Sequence, residues 1–289
     1  MLLMRKYVAY VALIALVFIS LGIWGAVLAN MPSGKLTVAV MDIGQGDSIF
    51  IESPTGVQVV IDGGPDDSVL RELPKLMPLS DRSLDAVIET HPDADHVAGF
   101  INLLKRYSVG VFVESGIIKD TLTAKTLEAE IDQKNIPRAL VVRGEWIDLG
   151  GGARLNILFP DFDVTTLPPD QANEGAVVAQ LVYASTTVLF MADAPKDIED
   201  HLIALDGATL HSDILKVGHH GSAGSSDPAF IKTVDPAVAI ISVGAHNRYG
   251  HPTQATLDTL AAQHIKTLRT DEEGTIVFVS DGKEFVRTK

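Results

Sequence analysis

The sequence predicts an α/β protein built as an αββα sandwich, in which two mixed β-sheets pack together and helices cover both outer faces. Two strand-rich sections of the 289-residue chain carry this prediction, because each is accompanied by its own helices. A third observation is an uncharged apolar segment near the N-terminus, which predicts one transmembrane helix ahead of the sandwich.

The apolar segment Tyr7–Ala29 contains 23 residues without a charge and follows Arg5 and Lys6. As a helix it would be roughly 35 Å long at about 1.5 Å per residue, enough to cross a hydrocarbon core of about 30 Å. The alternative is a cleaved signal peptide, whose apolar core is usually shorter, about 7–15 residues. The basic residues before the segment place the N-terminus in the cytoplasm and the body outside. We therefore expect a single-pass protein of the cell membrane, or a secreted one if the segment is cleaved.

The domain organisation follows from this segment. We expect residues 1–30 to be the membrane anchor or signal peptide, residues 31–34 a linker, and residues 35–289 one soluble domain. There is no cysteine, so a metal must be held by His, Asp, Glu, Asn or backbone oxygen. The net charge of −14 argues against unaided binding of nucleic acid, although it leaves room for a site neutralised by metal.

Hydrophobic periodicity and glycine turns place the elements of the first half. An opening meander of mostly antiparallel strands is followed by alternating helices and strands, and helix 121–134 has apolar positions at Leu122, Leu127 and Ile131. The predicted strands are 35–42, 48–52, 57–61, 84–89, 109–114, 140–142, 146–147 and 153–159, and the helices are 67–77, 97–107 and 121–134.

The second half repeats the mixture of strands and helices without a close sequence repeat. A polar loop is expected at 161–171. The predicted strands are 176–183, 186–192, 213–217, 237–243, 267–268, 276–279 and 284–286, and the helices are 195–205, 230–234 and 253–263.

The motif Thr90–His96 places two imidazoles and two carboxylates within six residues, directly after a buried strand. Pro92 biases His91 away from helical backbone, so the polar residues are expected in a loop, with a helix from about Val97. Charged groups packed this closely at a strand end need a counter-charge, and a divalent metal is the obvious candidate. A solvated acidic turn is the alternative.

Further candidate ligands also follow predicted strands, where loops from a rigid sheet can converge on one pocket. Asp193 could bridge metals or simply cap the helix near Pro195. His219 and His220 lie between glycines, which allow close approach of the backbone to a ligand. His251 alone would more often be a surface residue.

Five motifs together resemble the metallo-β-lactamase-fold domain of ComEC-type competence proteins. They follow the family's order over about residues 35–289 and are Met41–Asp47, Ile61–Gly64, His91–His96, Lys216–Ser222 and Tyr249–Pro252. The resemblance implies an αββα metallo-β-lactamase fold with a metal site at one edge of the sheets. The polytopic channel region of those proteins is not in this sequence, which makes a separate channel protein a candidate partner.

The resemblance also implies a metal-ligand set. It matches His91 and Asp93 to a first metal position, Asp95 and His96 to a second, Asp193 to the bridging carboxylate and His251 to the later ligand. His219 and His220 match the region that contacts the substrate phosphate or the metal.

Two departures from the wider superfamily bear on the metal. Asp93 stands where the motif H-x-H-x-D-H has its second histidine, and Asn173 stands where a third histidine is expected. Both changes favour harder metals, so we expect one or two divalent ions, with manganese rather than zinc best for catalysis.

The expected reaction is hydrolysis by a metal-bound water whose pKa is lowered toward about 7. Asp95 could orient or deprotonate that water, and His219 or His220 could stabilise the transition state or protonate the leaving oxygen. Lys216 could add positive charge or point away along its strand.

The favoured function is a membrane-anchored, extracytoplasmic phosphodiesterase or DNase whose substrate is a phosphodiester such as single-stranded DNA. One alternative is hydrolysis of a cell-envelope phosphodiester. Another is a non-catalytic module that binds DNA or a partner, against which the nearly complete ligand set argues. β-Lactam hydrolysis ranks lower because the first metal position differs from that of zinc lactamases. The sequence leaves the oligomeric state open.

Overall fold

The computed structural model describes residues 2–29, 33–78 and 80–289, which divide into two compact units, Met1–Ser33 and Gly34–Lys289. The first unit holds helix α1, Leu2–Ala29, and its stretch Met4–Gly25 is long and apolar enough to cross a membrane, with a mean hydropathy of 2.3. This helix could serve as a membrane anchor or as a signal sequence. The predicted linker begins at residues 31 and 32, which lie outside the described residues.

The second unit contains fifteen strands and seven α-helices within the described residues. The strands are β1 Leu36–Val40, β2 Ile49–Glu52, β3 Gln58–Ile61, β4 Ser83–Glu89, β5 Ser108–Glu114, β6 Arg138–Leu140, β7 Trp146–Gly150, β8 Ala153–Phe159, β9 Val178–Tyr183, β10 Thr186–Phe190, β11 Ile214–Lys216, β12 Val238–Ile241, β13 Lys266–Arg269, β14 Ile276–Ser280 and β15 Phe285–Arg287. The helices are α2 Val69–Glu72, α3 Ala94–Arg106, α4 Leu122–Lys134, α5 Lys196–Asp206, α6 Pro228–Val234, α7 Gln254–Ala262 and α8 Thr270–Glu273.

The strands form two mixed sheets. One has the order β15-β14-β1-β2-β3-β4-β5-β6, with parallel pairing from β3 to β6 and antiparallel pairing elsewhere. The other has the order β13-β12-β11-β10-β9-β8-β7, with parallel pairing from β10 to β13. The predicted opening meander is confirmed, because β1 to β3 are antiparallel neighbours.

Three buried apolar clusters account for the layering. The central one joins the facing sides of both sheets, through residues such as Val38 and Leu155. A second packs α3 and α4 on the first sheet, around Phe100 and Leu127. A third packs α5 to α7 on the second sheet, around Leu202. The predicted αββα sandwich is therefore confirmed.

One local prediction was wrong. Helix α3 begins at Ala94, so Asp95 and His96 lie in its first turn rather than in a loop. Asp93 occupies the N-cap position with extended backbone, and an acidic residue in the first turn of a helix is favoured by the helix dipole. Of the apolar positions noted in α4, Leu127 and Ile131 are buried, whereas Leu122, at the start of the helix, is 83% exposed.

The buried carboxyl of Glu199 on α5 joins two elements of the second sheet's outer layer. It accepts hydrogen bonds from the backbone N–H groups of Ser226 and Asp227 at 2.6 and 2.7 Å, just before α6. Burial raises the pKa of Glu199 to about 7, although the two N–H groups act in the opposite direction.

We predict that Glu199 makes the protein less stable as pH rises. A raised pKa means that the folded state holds the proton more tightly than the unfolded state between pH values of about 4.5 and 7. Ionisation at higher pH therefore removes up to about 3 kcal/mol of stability. Urea unfolding of the full chain in detergent at pH 5 and 8 should show this loss reduced in Glu199→Gln, while Glu284→Gln, at an exposed position, should behave as wild type. An equal pH dependence in Glu199→Gln and wild type would contradict the prediction.

Candidate metal centre

The loops that follow β4, β10 and β11 meet at one edge of the sandwich and bring four buried side chains together. His91, His96 and Asp193 offer ligand atoms within 4.8 Å of one another, as do Asp95, His96 and His220. The Nε2 atoms of the three buried histidines and Oδ1 of Asp193 have no hydrogen-bond partner. Buried polar atoms are normally paired, so four such atoms pointing into one space suit the binding of a cation.

The buried carboxylate of Asp62, at the end of β3, fixes two of these imidazoles. It accepts hydrogen bonds from the Thr90 N–H at 2.9 Å and from Thr90 Oγ1 and His96 Nδ1, both at 2.8 Å. The Thr90 hydroxyl has one hydrogen and gives it to Asp62, so it accepts from His91 Nδ1 at 3.0 Å. In their neutral, metal-binding forms, both imidazoles therefore carry their hydrogen on Nδ1 and present a bare Nε2.

His220 is oriented by the backbone of the second sheet. Its Nδ1 donates a hydrogen bond to the carbonyl of Ser242, just after β12, at 3.0 Å. Since a carbonyl can only accept, the neutral ring again carries its lone pair on Nε2. That atom lies 3.5 Å from Asp193 Oδ1 and 3.7 Å from Asp95 Oδ2.

A buried ion pair lies beneath this cluster. Lys216, at the end of β11, is fully buried and donates a short hydrogen bond to Asp47, which follows the glycine turn after β1. Asp47 Oδ1 lies 3.4 Å from His220 Nδ1. Sequence analysis left open whether Lys216 adds positive charge to the site or points away along its strand. The contact with Asp47 shows that the side chain points into the site, although it is shielded from solvent.

The electrostatics of the cluster show an excess of negative charge. Burial opposes ionisation of Asp193, but His220 and His96 lower its pKa well below the usual value. Burial likewise opposes charge on His220 and His96, yet Asp193 with Asp47 raises the pKa of His220 to about 9, and Asp193 with Asp62 raises that of His96. Burial and the charge of His96 lower the pKa of His91 to about 4.

Protons on two histidines thus balance the carboxylates when no metal is bound. A divalent cation can take over this balancing role once those protons leave. The bare imidazole nitrogens and carboxylate oxygens are ordinary ligands for such ions.

The backbone around the cluster is held in costly conformations. Asp62, Ala192, His219 and His220 have positive φ values between 46° and 58°, which L-residues rarely adopt. Gly46 is required by proximity, since a Cβ there would lie 2.0 Å from the carbonyl oxygen of Asp95. Backbone strain of this kind is retained where the surrounding structure fixes the chain, as at functional sites.

The other predicted residues lie at the rim. His219 Nε2 is 3.7 Å from Asp193 Oδ2, with a third of the side chain exposed. His251 packs its ring 5.7 Å from that of His219, and its Nδ1 is buried without a partner. Asp93 forms an ion pair with Lys119.

Within the described residues, neither Asp93 nor His251 joins a group of closely spaced ligand atoms. His91 is grouped with His96 and Asp193 instead of with Asp93. Asp193 does not cap α5, whose N-cap, Pro195, makes no side-chain hydrogen bond. Asn173 lies half-buried in the 3₁₀ segment Pro169–Gly175, where its carbonyl accepts from the Ala176 N–H.

Sequence reasoning assigned no role to Asp47, Asp62, Thr90 or Ser242. The sequence could have pointed to Asp47 and Asp62. Each lies next to a glycine near the end of a strand, within one of the motifs shared with the competence proteins. Nothing in the sequence pointed to Thr90 or Ser242, since a hydroxyl relay and a backbone carbonyl are visible only in the folded structure.

Comparison with known proteins agrees with this geometry. Residues 41–246 match the family model of the metallo-beta-lactamase superfamily. The chain is 32% identical over 266 residues to ComE operon protein 3 of Bacillus subtilis (strain 168), covering 85% of this chain and 33% of that protein. It is 28% identical over 248 residues to competence protein ComA of Neisseria gonorrhoeae, covering 86% of this chain and 33% of that one. The chain thus spans about a third of the length of these curated relatives.

Solved structures show the same fold at low sequence identity. The metallo-beta-lactamase fold protein YhfI from Bacillus subtilis aligns with a TM-score of 0.56 and 14% identity, over 85% of this chain and 100% of YhfI. Igni18, a metallo hydrolase from Ignicoccus hospitalis KIN4/I, aligns with a TM-score of 0.53 and 14% identity, over 84% and 98%. Together, the family match over most of the chain and the shared fold establish that this protein belongs to the metallo-β-lactamase superfamily and is related to competence proteins.

Proposed function

We propose that this protein is a metal-dependent phosphodiesterase, anchored in the membrane by α1, whose extracytoplasmic domain cleaves single-stranded DNA. The observation that carries the hydrolase assignment is the convergence of three bare histidine Nε2 atoms on Asp193 in a buried, negatively charged cluster. The relatives named for competence support a DNA substrate.

In this proposal His91, His96 and Asp193 hold one cation, and Asp95 and His220 extend the site toward a second. A bound cation would supply Lewis acidity and a water of lowered pKa. Asp95, a third of whose side chain is exposed, orients that water or takes its proton. Asp62 keeps the ligand nitrogens of His91 and His96 free by holding the hydrogens on the opposite ring atoms.

The rim residues handle the substrate. His219 reaches from solvent toward Asp193, so it can donate a hydrogen bond to a phosphoryl oxygen or protonate the leaving oxygen. His251 packs against His219 and positions it. Lys216 is fully buried and acts as a positioning residue through Asp47, rather than by contacting substrate.

We propose a divalent metal and leave the choice between manganese and zinc to experiment. Manganese preference was predicted from Asp93 and Asn173, and the ion pair of Asp93 with Lys119 removes one of these two reasons. Three imidazole nitrogens with two carboxylates suit zinc as well as manganese. Metallo-β-lactamase-fold proteins are typically zinc proteins, so the two metals have to be compared directly.

A cell-envelope phosphodiester is the second candidate substrate. The observation that favours it is the acidic composition of the chain, whose 37 Asp and Glu against 23 Lys and Arg repel a polyanion at long range. A cation at the centre would offset this repulsion locally for either substrate.

The first prediction concerns activity. The full chain in detergent should hydrolyse bis-p-nitrophenyl phosphate and single-stranded DNA with Mn(II) or Zn(II), and EDTA should abolish both. Asp95→Ala should lower kcat by about a hundredfold or more. Duplex DNA and a choline phosphodiester serve as comparison substrates. No metal-dependent cleavage of any of them would refute the proposal, and cleavage of the choline ester alone would favour the envelope substrate.

A second prediction tests whether Asp193, as the structure indicates, or Asp93, as the resemblance implies, binds metal together with His91. Asp193→Ala removes a carboxylate from the buried cluster, so metal content measured by mass spectrometry should fall to a small fraction of wild type. Asp93→Ala removes only the partner of Lys119 and should retain most of the metal. Equal losses in the two variants would restore Asp93 as a ligand.

A third prediction concerns the carboxylate behind the ligands. Asp62→Asn weakens the acceptor that orients His96 and Thr90, so metal affinity should fall about 10–100-fold. Competition with a chromogenic chelator measures this affinity. Asp200→Asn, at an exposed position on α5, should bind as wild type. Unchanged affinity in Asp62→Asn would show that the ligands are oriented without this carboxylate.

A further inference from the structure

A second concave site adjoins the metal centre. Its cavity has a volume of about 650 Å³ and lies between the ends of β4 and β5 and helix α4. Pro92, which follows His91, lines the cavity, so the metal-binding loop forms part of its wall. The apolar lining includes the buried Ile117 and Leu127 and the exposed Leu140.

Most charged groups of the cavity already have partners. Arg138 bonds the carboxylates of both Glu114 and Glu128, and Lys119 bonds Asp93. Because of these ion pairs, the positive charges of Arg138 and Lys119 are already balanced by carboxylates of the protein.

Glu89 is different. It is the last residue of β4, only 5% exposed, and it lines the cavity. In the described part of the chain, its carboxyl makes no hydrogen bond or ion pair. A carboxyl group that lines a cavity without a partner in the protein is available to a ligand bearing N–H donors.

We propose that this cavity receives an unpaired nucleobase of the strand that is cleaved at the metal centre. A base has flat apolar faces, which match the aliphatic walls, and N–H groups on its edge, which match the Glu89 carboxyl. Enzymes that bind a base outside the helix use this combination of packing and hydrogen bonds. The inference rests on the proposed phosphodiesterase function and adds to it a subsite for one base of the substrate strand.

The dimensions and lining favour a base over a cationic headgroup. A volume of about 650 Å³ falls within the usual range for small-molecule sites and exceeds what an ammonium group needs. None of the described residues that line the cavity is aromatic, whereas quaternary ammonium groups are typically bound by aromatic side chains. A base in a duplex could not enter, so the site selects single strands.

The test uses the full chain in detergent and two esters that share a leaving group. Thymidine 5′-p-nitrophenyl phosphate carries a base, and 2-deoxyribose 5-p-nitrophenyl phosphate does not. The kcat/KM of the first should exceed that of the second by about tenfold or more. Leu140→Trp fills the cavity from its exposed rim, where leucine is 61% exposed, and should bring the ratio toward one.

Leu122→Trp is the matched control, because Leu122 is 83% exposed on α4 and does not line the cavity. It should keep the wild-type ratio. A wild-type ratio near one, or a ratio unaffected by Leu140→Trp, overturns the base site. Faster hydrolysis of p-nitrophenylphosphorylcholine than of the thymidine ester overturns it in favour of a cationic headgroup.

Failure of the proposed function gives a different result, namely no hydrolysis of any ester, including bis-p-nitrophenyl phosphate. The cavity is then judged by titrating deoxycytidine into the protein and measuring binding by calorimetry. Binding to wild type and Leu122→Trp but not to Leu140→Trp supports the base site, and absence of binding to wild type overturns it.

Discussion

The buried carboxylate of Asp62 is the constraint on which the candidate metal centre depends. Through its bonds to Thr90 and His96, it determines which ring nitrogen of two histidines carries hydrogen. The opposite ring nitrogens, both Nε2, then face a common space, where each unpaired buried atom is costly. A carboxylate that reaches two ligands couples their orientations, so the loop after β4 and the first turn of α3 act as one unit.

The αββα architecture explains why such a cluster can form at all. Each sheet delivers candidate ligands from the ends of neighbouring strands, with His91 from one sheet and Asp193 and His220 from the other. The apolar core between the sheets holds these ends at fixed separations. Ion pairing of Lys216 with Asp47 supports the same edge from within, because a buried charge is tolerated only when it is paired.

Much of the fold could be predicted from the sequence. The periodicity of hydrophobic residues that marks strands and helices is a local property of the sequence. The order of elements and the two-sheet sandwich were therefore predicted correctly. The errors occurred where tertiary contacts decide. The first turn of α3 forms immediately after Pro92 because the carbonyl of His96 accepts from the N–H groups of Gly63 and Gly64, at 2.5 and 3.1 Å. Leu122 suits the helical pattern, yet it is 83% exposed at the first position of α4.

By itself, the sequence determined the fold, the family resemblance and the positions of the candidate ligands at strand ends, because these follow from local periodicity and short motifs. Only the tertiary structure decided which candidates meet. His91, His96, Asp193 and His220 converge, whereas Asp93 pairs with Lys119, a residue 26 positions later in the chain. The reason is physical: a ligand set depends on distances between residues remote in sequence, and packing of two sheets sets those distances.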